Sequence, residues 1–363
     1  MDINAIQKPT LIIRPEVAKA NISVMARKAQ KSGVVFRPHF KTHQSNQVGE
    51  WFRSEGVSCI TVSSVEMAAY FSAHGWSDIL IAFTANRREW TTINQLAAKS
   101  RLGLLVEDLE SIRFFQQHLE HPVDIWLEAD NGLGRTGIPV GEVENFIKLA
   151  KEVHSPFVFK GLLTHAGNAY HIESDTEAKQ IYQDTLENMT RIKEALVSAG
   201  FNPSISYGDT PTLSRVEDVS GWDEIRPGNF VFFDCTQYQL GSCRQEDIAV
   251  GVACPVMAVY PQRRQLVLYG GGVHLSKDYF ISNGRPCYGF VCKPDEQGWG
   301  ALIQGAEVSA LWQEHAMVDM NAADLQTIKT GDLLVVLPSH SCMTVDLYDE
   351  YLTPGGEKLP IRS

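Results

Sequence analysis

No Cys-x-x-Cys pair occurs in the 363 residues, and the seven cysteines (Cys59, Cys235, Cys243, Cys254, Cys287, Cys292 and Cys342) are odd in number and scattered. Free thiols in a reducing cytosol fit that spacing better than a disulfide framework. No run of 18 apolar residues exists to span a bilayer. The opening Met-Asp-Ile-Asn-Ala-Ile-Gln-Lys-Pro has no apolar stretch of the secretory kind, so a cytoplasmic setting is expected. Basic residues are in deficit: 32 Lys and Arg against 43 Asp and Glu give a net charge of −11. That argues against a nucleic-acid or anionic-membrane partner, because gripping a phosphate backbone needs a basic surface. Gly-x-Gly-x-x-Gly after a first strand is also missing, which argues against a dinucleotide fold. Low-complexity tracts are absent.

What is present is the composition of a packed core, 44% hydrophobic and 21% charged, in a chain long enough for two domains. Thr10–Ile13 is a short strand candidate, followed by an amphipathic helix over residues 16–31. An alternation then sets in. Strand candidates at Val34–Phe40, Cys59–Ser63, Ile79–Phe83, Leu102–Val106, Val123–Glu128, Phe157–Thr164, Ser204–Tyr207 and Phe230–Phe233 are separated by helical stretches. Those helices are expected over Ser64–Ala73, Arg88–Ala98, Leu109–Leu119, Val140–Val153, Thr176–Ala199 and Pro211–Val219. Strand starts commonly about 20–25 residues apart match one βα unit. The fold class is α/β: a (β/α)8 TIM-type barrel over residues 10–243, then a β-rich domain over 244–363, with residues 1–9 a candidate to join it. In that second domain Ile248–Tyr260, Gln265–Tyr269, Glu307–Leu311, Leu333–Leu337 and Met343–Leu347 read as strands.

Barrels place their chemistry at the C-terminal strand ends. Val34–His43 puts Lys41 there, flanked by His39 and His43. Pro38 keeps Arg37 extended. Burial and neighbouring positive charge would lower the amine's proton affinity and suit it to Schiff-base chemistry on a carbonyl. The plain alternative is a lysine snorkelling at a strand end.

Further strand ends carry their own candidates. Ser206-Tyr207-Gly208-Asp209-Thr210-Pro211-Thr212 opens a helix with a glycine and hydroxyls, a setting for an anion. Arg226-Pro227-Gly228-Asn229 is a second turn of that kind, and barrels often hold phosphate after strands seven and eight. Arg135, in a Gly-rich loop, could steer a carboxylate, and His165 and Tyr170 are candidate acid/base groups. In an extended segment His340 and Cys342 share a face, and imidazole with thiolate favours zinc.

These segments together resemble the D-serine dehydratase and D-threonine aldolase family, the metal-dependent, alanine-racemase-like (fold type III) pyridoxal-phosphate enzymes. The resemblance spans nearly the whole chain. It rests on Arg37-Pro38-His39-Phe40-Lys41-Thr42-His43, Arg135-Thr136-Gly137, Gly208-Asp209-Thr210-Pro211-Thr212, Arg226-Pro227-Gly228 and His340-Ser341-Cys342, in that order. It implies that Lys41 carries pyridoxal phosphate, with His39, Tyr207, Gly208, Thr210, Gly228 and Asn229 also at the cofactor. Lys41, Tyr170, Arg135 and His165 would be catalytic. His340 and Cys342 would hold zinc, or another divalent metal such as manganese. Asp209 stands where the family often has a second glycine, and its carboxylate would repel a phosphate unless turned away.

The implied partners are a small D-amino acid substrate and a second copy in a homodimer, with no nucleic acid and no membrane. The implied reaction is a lyase step. Lys41 takes the α-proton of D-serine or a related D-3-hydroxy amino acid such as D-threonine or 3-hydroxyaspartate. The β-hydroxyl then leaves, giving a 2-oxo acid and ammonia. His-x-Cys resembles the dehydratase side of the family. Retro-aldol cleavage to glycine and an aldehyde is the nearest alternative, and a non-catalytic pyridoxal-phosphate-binding protein is one of another class.

Overall fold

The computed structural model describes residues 5–362. The chain folds into two compact units, one of Ser23–Lys41 with Gly49–Gly228, the other of the chain up to Ile22, Thr42–Val48 and the chain from Asn229 on. Of the N-terminal segment expected to join the second domain, residues 1–4 lie outside the described residues.

The first unit is the barrel. Its strands are β2 (Val35–Phe36), β3 (Ile60–Val62), β4 (Asp78–Thr84), β5 (Arg101–Val106), β6 (Asp124–Asp130), β8 (Val158–Thr164), β9 (Ser204–Tyr207) and β10 (Glu224–Ile225). They pair in parallel in the order β2-β10-β9-β8-β6-β5-β4-β3, and the short β7 (Ile138–Pro139) adds onto β6. An isolated parallel bridge between His39 and Thr61 joins the two ends. Phe40 N–H donates to Thr61 O (2.8 Å) and Thr61 N–H to Pro38 O (2.9 Å). The seam of the barrel therefore lies inside the segment that carries Lys41. Helices of the alternation lie at Val65–Ala73, Trp90–Ala97, Leu109–His118, Val143–Lys151, Asp175–Ser198 and Pro211–Arg215.

Leu80, Leu105, Trp126 and Leu163 form a buried cluster from four successive strands, as period-two alternation requires. Two residues further along three of these strands come Glu107, Glu128 and His165, so the barrel turns polar towards its C-terminal end. Gly161 lets β8 and β9 close up: a Cβ there would sit 2.0 Å from Ser204 O.

Seven expected barrel strands are present, Ser204–Tyr207 at its expected bounds and the other six with shifted ends. The eighth differs. Phe230–Phe233, an aromatic run of strong strand propensity, is not a strand; Asn229–Val231 is a 3-10 turn and Phe233 has φ 48°. The closing strand is the two-residue Glu224–Ile225, too short to show any alternation.

In the second unit, β1 (Thr10–Ile13), expected at the head of the barrel segment, pairs instead with β11 (Val250–Tyr260) antiparallel and β19 (Glu350–Leu352) in parallel. The rest of this nine-stranded sheet is β12 (Gln265–Tyr269), β15 (Gly289–Cys292), β16 (Leu302–Leu311), β17 (His315–Asp319), β18 (Leu333–Pro338) and β20 (Lys358–Pro360). A separate hairpin joins β13 (Phe280–Ser282) to β14 (Arg285–Cys287). Met343–Leu347 is not a strand: a short helix covers Ser341–Val345. The buried Asp234 carboxylate accepts the Ser341 N–H at 3.0 Å, which ties down the start of that turn. Among the described residues all seven cysteines are free and no helix is long and apolar enough to cross a membrane.

Candidate functional site

Within the barrel, Lys41 stands at the end of the β2 segment and is exposed. The burial expected of it is not found: β2 stops at Phe36, and beyond the His39 bridge the chain carries Lys41 outward. Its backbone N–H donates to His39 Nδ1 at 3.4 Å. Burial, then the positive charges of Lys41, Arg226 and Arg135, hold His39 well below the usual imidazole range. His165 is pushed down to about 3, again by burial first and Lys41 next. The Nδ1 of His165 pairs with the Gly208 carbonyl, which can only accept. Nδ1 therefore carries the proton and Nε2 keeps a lone pair. Two neutral imidazoles thus stand at strand ends among three cations. Arg135 is exposed in its loop, and the Tyr170 ring centroid is 6.0 Å from that of His165.

Asp209 does not face a bound anion with free oxygens. Its carboxylate accepts Thr212 N–H and Thr212 Oγ1–H, each at 2.7 Å, and burial raises its pKa to about 6. Thr210, by contrast, has a fully buried hydroxyl with no partner, close in sequence to Gly208. An orphaned donor next to a glycine, at a strand end lined by cations, fits a phosphate group. Tyr207 is fully buried; its hydroxyl pairs with Thr212 and its ring stacks on Trp222.

Below these groups lies an ionic layer that the sequence did not announce. Arg226, buried, donates through Nε to Ser206 Oγ (2.7 Å) and through Nη2 to Thr164 O (2.7 Å) and Ser206 O (3.2 Å). Ser206 Oγ in turn donates to Glu224 Oε1 at 2.7 Å. The other oxygen, Glu224 Oε2, accepts Arg37 Nε–H at 2.6 Å, and Arg37 Nη1 meets Asp78 Oδ1 at 2.5 Å. Arg37, Ser206 and Arg226 had a sequence signal, through the motifs that contain them; Glu224 and Asp78 had none.

In the second unit, the side chains of His340 and Cys342 come close enough to interact electrostatically. They meet although the segment is helical from Ser341 on, because His340 is extended (φ −137°, ψ 105°) just before the turn. His340 Nδ1 pairs with Asp278 Oδ2 at 2.6 Å. Thr42 Oγ1 lies 3.2 Å from Cys342 Sγ, and Asn229 Nδ2 lies 3.8 Å from it. The Asn229 amide is chiefly bound to Asp234 Oδ2, at 2.6 Å. No group of three or more His, Cys, Asp or Glu converges as a metal cage among the described residues. The donor chemistry still fits an open divalent site. Asp278 engages Nδ1, which frees Nε2 as a ligand atom, and Cys342 supplies a soft sulfur. Asp278 could not have been picked from sequence, since only the fold brings it to His340.

Comparison with known proteins agrees with this two-part layout. Residues 13–235 match the family described as “Alanine racemase, N-terminal domain”, and residues 249–353 match “Putative serine dehydratase domain”. A D-threo-3-hydroxyaspartate dehydratase of Delftia sp. is 28% identical over 94% of this chain and 93% of its own length. The solved structure of that enzyme superposes with a TM-score of 0.91 at 26% identity, covering 99% of this chain and 98% of that one. A D-serine dehydratase of Dictyostelium discoideum is 26% identical over 96% of this chain and 94% of its own length. A 3-hydroxy-D-aspartate aldolase of Paracoccus denitrificans is 31% identical over 97% of this chain and 89% of its own length.

Proposed function

We propose, from the premise that the chain belongs to the family joining an alanine racemase N-terminal domain to a serine dehydratase domain, that it is a pyridoxal-phosphate-dependent lyase. Its substrate class is small D-3-hydroxy amino acids, and its reaction is dehydration to a 2-oxo acid and ammonia. The observation that carries this reading is the exposed Lys41 amine at a strand end beside two neutral imidazoles that Arg135 also faces, together with the buried, unpartnered Thr210 hydroxyl two residues after Gly208.

Lys41 would hold the cofactor, with Gly208, Thr210 and Gly228 about its phosphate. When bound, pyridoxal phosphate supplies an electron sink for charge developing at Cα. A divalent cation on His340 and Cys342 would supply Lewis acidity toward a hydroxyl oxygen. The chain's own groups do the rest. Lys41 accepts the Cα proton. Arg135 pairs with the substrate carboxylate. His165, its tautomer fixed by the Gly208 carbonyl, offers a neutral Nε2 and adds no competing charge. Tyr170 returns a proton to the product carbon.

Retro-aldol cleavage is the second reading, favoured by the 31% identity to an aldolase. Purified protein supplied with D-threonine and zinc decides between them. Dehydration yields 2-oxobutanoate and ammonia; glycine with acetaldehyde overturns the proposal. A cytoplasmic homodimer completes the reading. Apolar side chains left exposed in the second unit, Tyr279, Ile281 and Trp312, support a second copy as partner. Light scattering that gives a monomer mass of 40.4 kDa would remove that part.

A further inference from the structure

The Glu224 carboxylate is buried and held from both sides. One oxygen takes the Arg37 Nε–H at 2.6 Å, the other the Ser206 hydroxyl at 2.7 Å. The same Ser206 hydroxyl accepts from Arg226 Nε at 2.7 Å. Serine thus passes one hydrogen bond on to the next, and Arg226 is oriented by Glu224 through that hydroxyl.

That orientation has a consequence. Nε and Nη2 of Arg226 are committed to Ser206 and Thr164, the residues just before Tyr207 and His165 at the ends of β9 and β8. Nη1 is directed to the other side, where a Cβ on Gly208 would lie 3.0 Å from it. A buried guanidinium with one nitrogen turned toward Gly208 is held ready for a ligand atom. Ser206 and Glu224 are what stop it from turning.

Charge follows the same route. Arg37 and Arg226 are both buried, and Glu224 is the carboxylate between them; Asp78 takes the outer side of Arg37, and Glu128 on β6 adds negative charge near Arg226. From the other elements His39, His165, Arg135 and Lys41 face this region, and the two imidazoles are neutral. Cys59 beside Arg37 stays a thiol, since burial raises its pKa to about 11. Glu224 is therefore the buried carboxylate that Arg37 and Arg226 share.

We infer that Glu224 is a positioning residue for the strand-end site, acting through Ser206 to aim Arg226 and setting the net charge felt at Lys41. The inference rests on the cofactor reading above. Lys41 lies four residues on from Arg37, whose guanidinium pairs with Glu224, and that is at most ~13 Å of extended chain. Removing one charge at about that distance, at an effective dielectric near 20, shifts a titration by about one pH unit.

The experiment is a pH titration of the visible absorbance of full-length protein loaded with pyridoxal phosphate. In Glu224→Gln the band should titrate about one pH unit lower than in wild type, because a more positive surrounding disfavours the protonated nitrogen. Glu224→Asp keeps the charge and should restore the wild-type midpoint. Ser206→Ala leaves the Arg37–Glu224 pair in place. It should hold the midpoint within a few tenths of a unit while kcat falls about tenfold. A loaded Glu224→Gln protein with the wild-type midpoint overturns the inference. So does a Ser206→Ala protein with wild-type kcat, which decides the matter if Glu224→Gln does not fold. Wild-type protein with no visible band refutes the cofactor reading itself, a different and recognisable failure.

Discussion

Replacing Asp278 by alanine removes the carboxylate hydrogen-bonded to the His340 ring, and the structure sets the size of the effect. The Asp278 Oδ2–His340 Nδ1 contact is 2.6 Å, short enough to lock the ring and leave Nε2 as the proposed ligand atom. Losing such a partner typically costs 10–100-fold in metal affinity. The pair is partly open to water, with 36% of the His340 side chain and 47% of the Asp278 side chain exposed. Screening therefore places the loss at the lower end, about tenfold, or about 1.4 kcal/mol. Titration calorimetry with zinc on the full chain measures it, with Cys342→Ala as the variant that removes the other proposed ligand outright. Asp278→Ala binding zinc as wild type does would show that the ring needs no orienting partner. A loss as large as that of Cys342→Ala would make Asp278 a ligand in its own right. Either result defeats the reasoning.

Two further outcomes are expected. Lys41→Ala should abolish the visible absorbance of protein reconstituted with pyridoxal phosphate; a band that persists places the anchor elsewhere. Asp209, raised to about 6 by burial against a usual 3.8, is harder to ionise in the folded chain, so wild-type stability falls as pH rises through that range. Asp209→Asn keeps an acceptor for the Thr212 N–H and escapes a penalty of roughly 3 kcal/mol at most. Its apo melting temperature should exceed wild type's by a few degrees at pH 8 and match it near pH 4; an equal difference at both pH values refutes this.

Strand periodicity carried most of the barrel, because seven of its strands are apolar runs bounded by polar turns. It failed at Glu224–Ile225, two residues with no apolar run around them to mark a strand, and where aromatic residues fill a turn, as at Asn229–Val231. Met343–Leu347 failed for another reason: β-branched and apolar residues pointed to a strand, but Asp234, more than a hundred residues earlier, ties down Ser341 at the start of a helix. The same limit applies to the site. Lys41, Thr210, His340 and Cys342 sit in short local patterns and could be read. Asp278 and Glu224 take their roles from partners that are distant in sequence, and no spacing rule reaches them; Ser206 lay in a motif, but its link to Glu224 and Arg226 did not show there. Lys41 is exposed where its sequence setting points to burial, because the apolar run before it ends as a strand at Phe36 rather than continuing to Phe40.

That short strand has a bearing on how the molecule assembles. The barrel closes through two-residue β2 and β10 and the isolated bridge at His39 and Thr61, while β4, β6 and β8 each run for seven residues. Few hydrogen bonds hold this join, and it is last in line, since Phe36 must find Ile225 across nearly two hundred residues of chain. In native-state hydrogen exchange the amides of Phe40 and Thr61 should open ahead of those in β6. A ligand anchored at Lys41 would act as a clasp on the ring, and its occupancy would register as slower exchange along this seam.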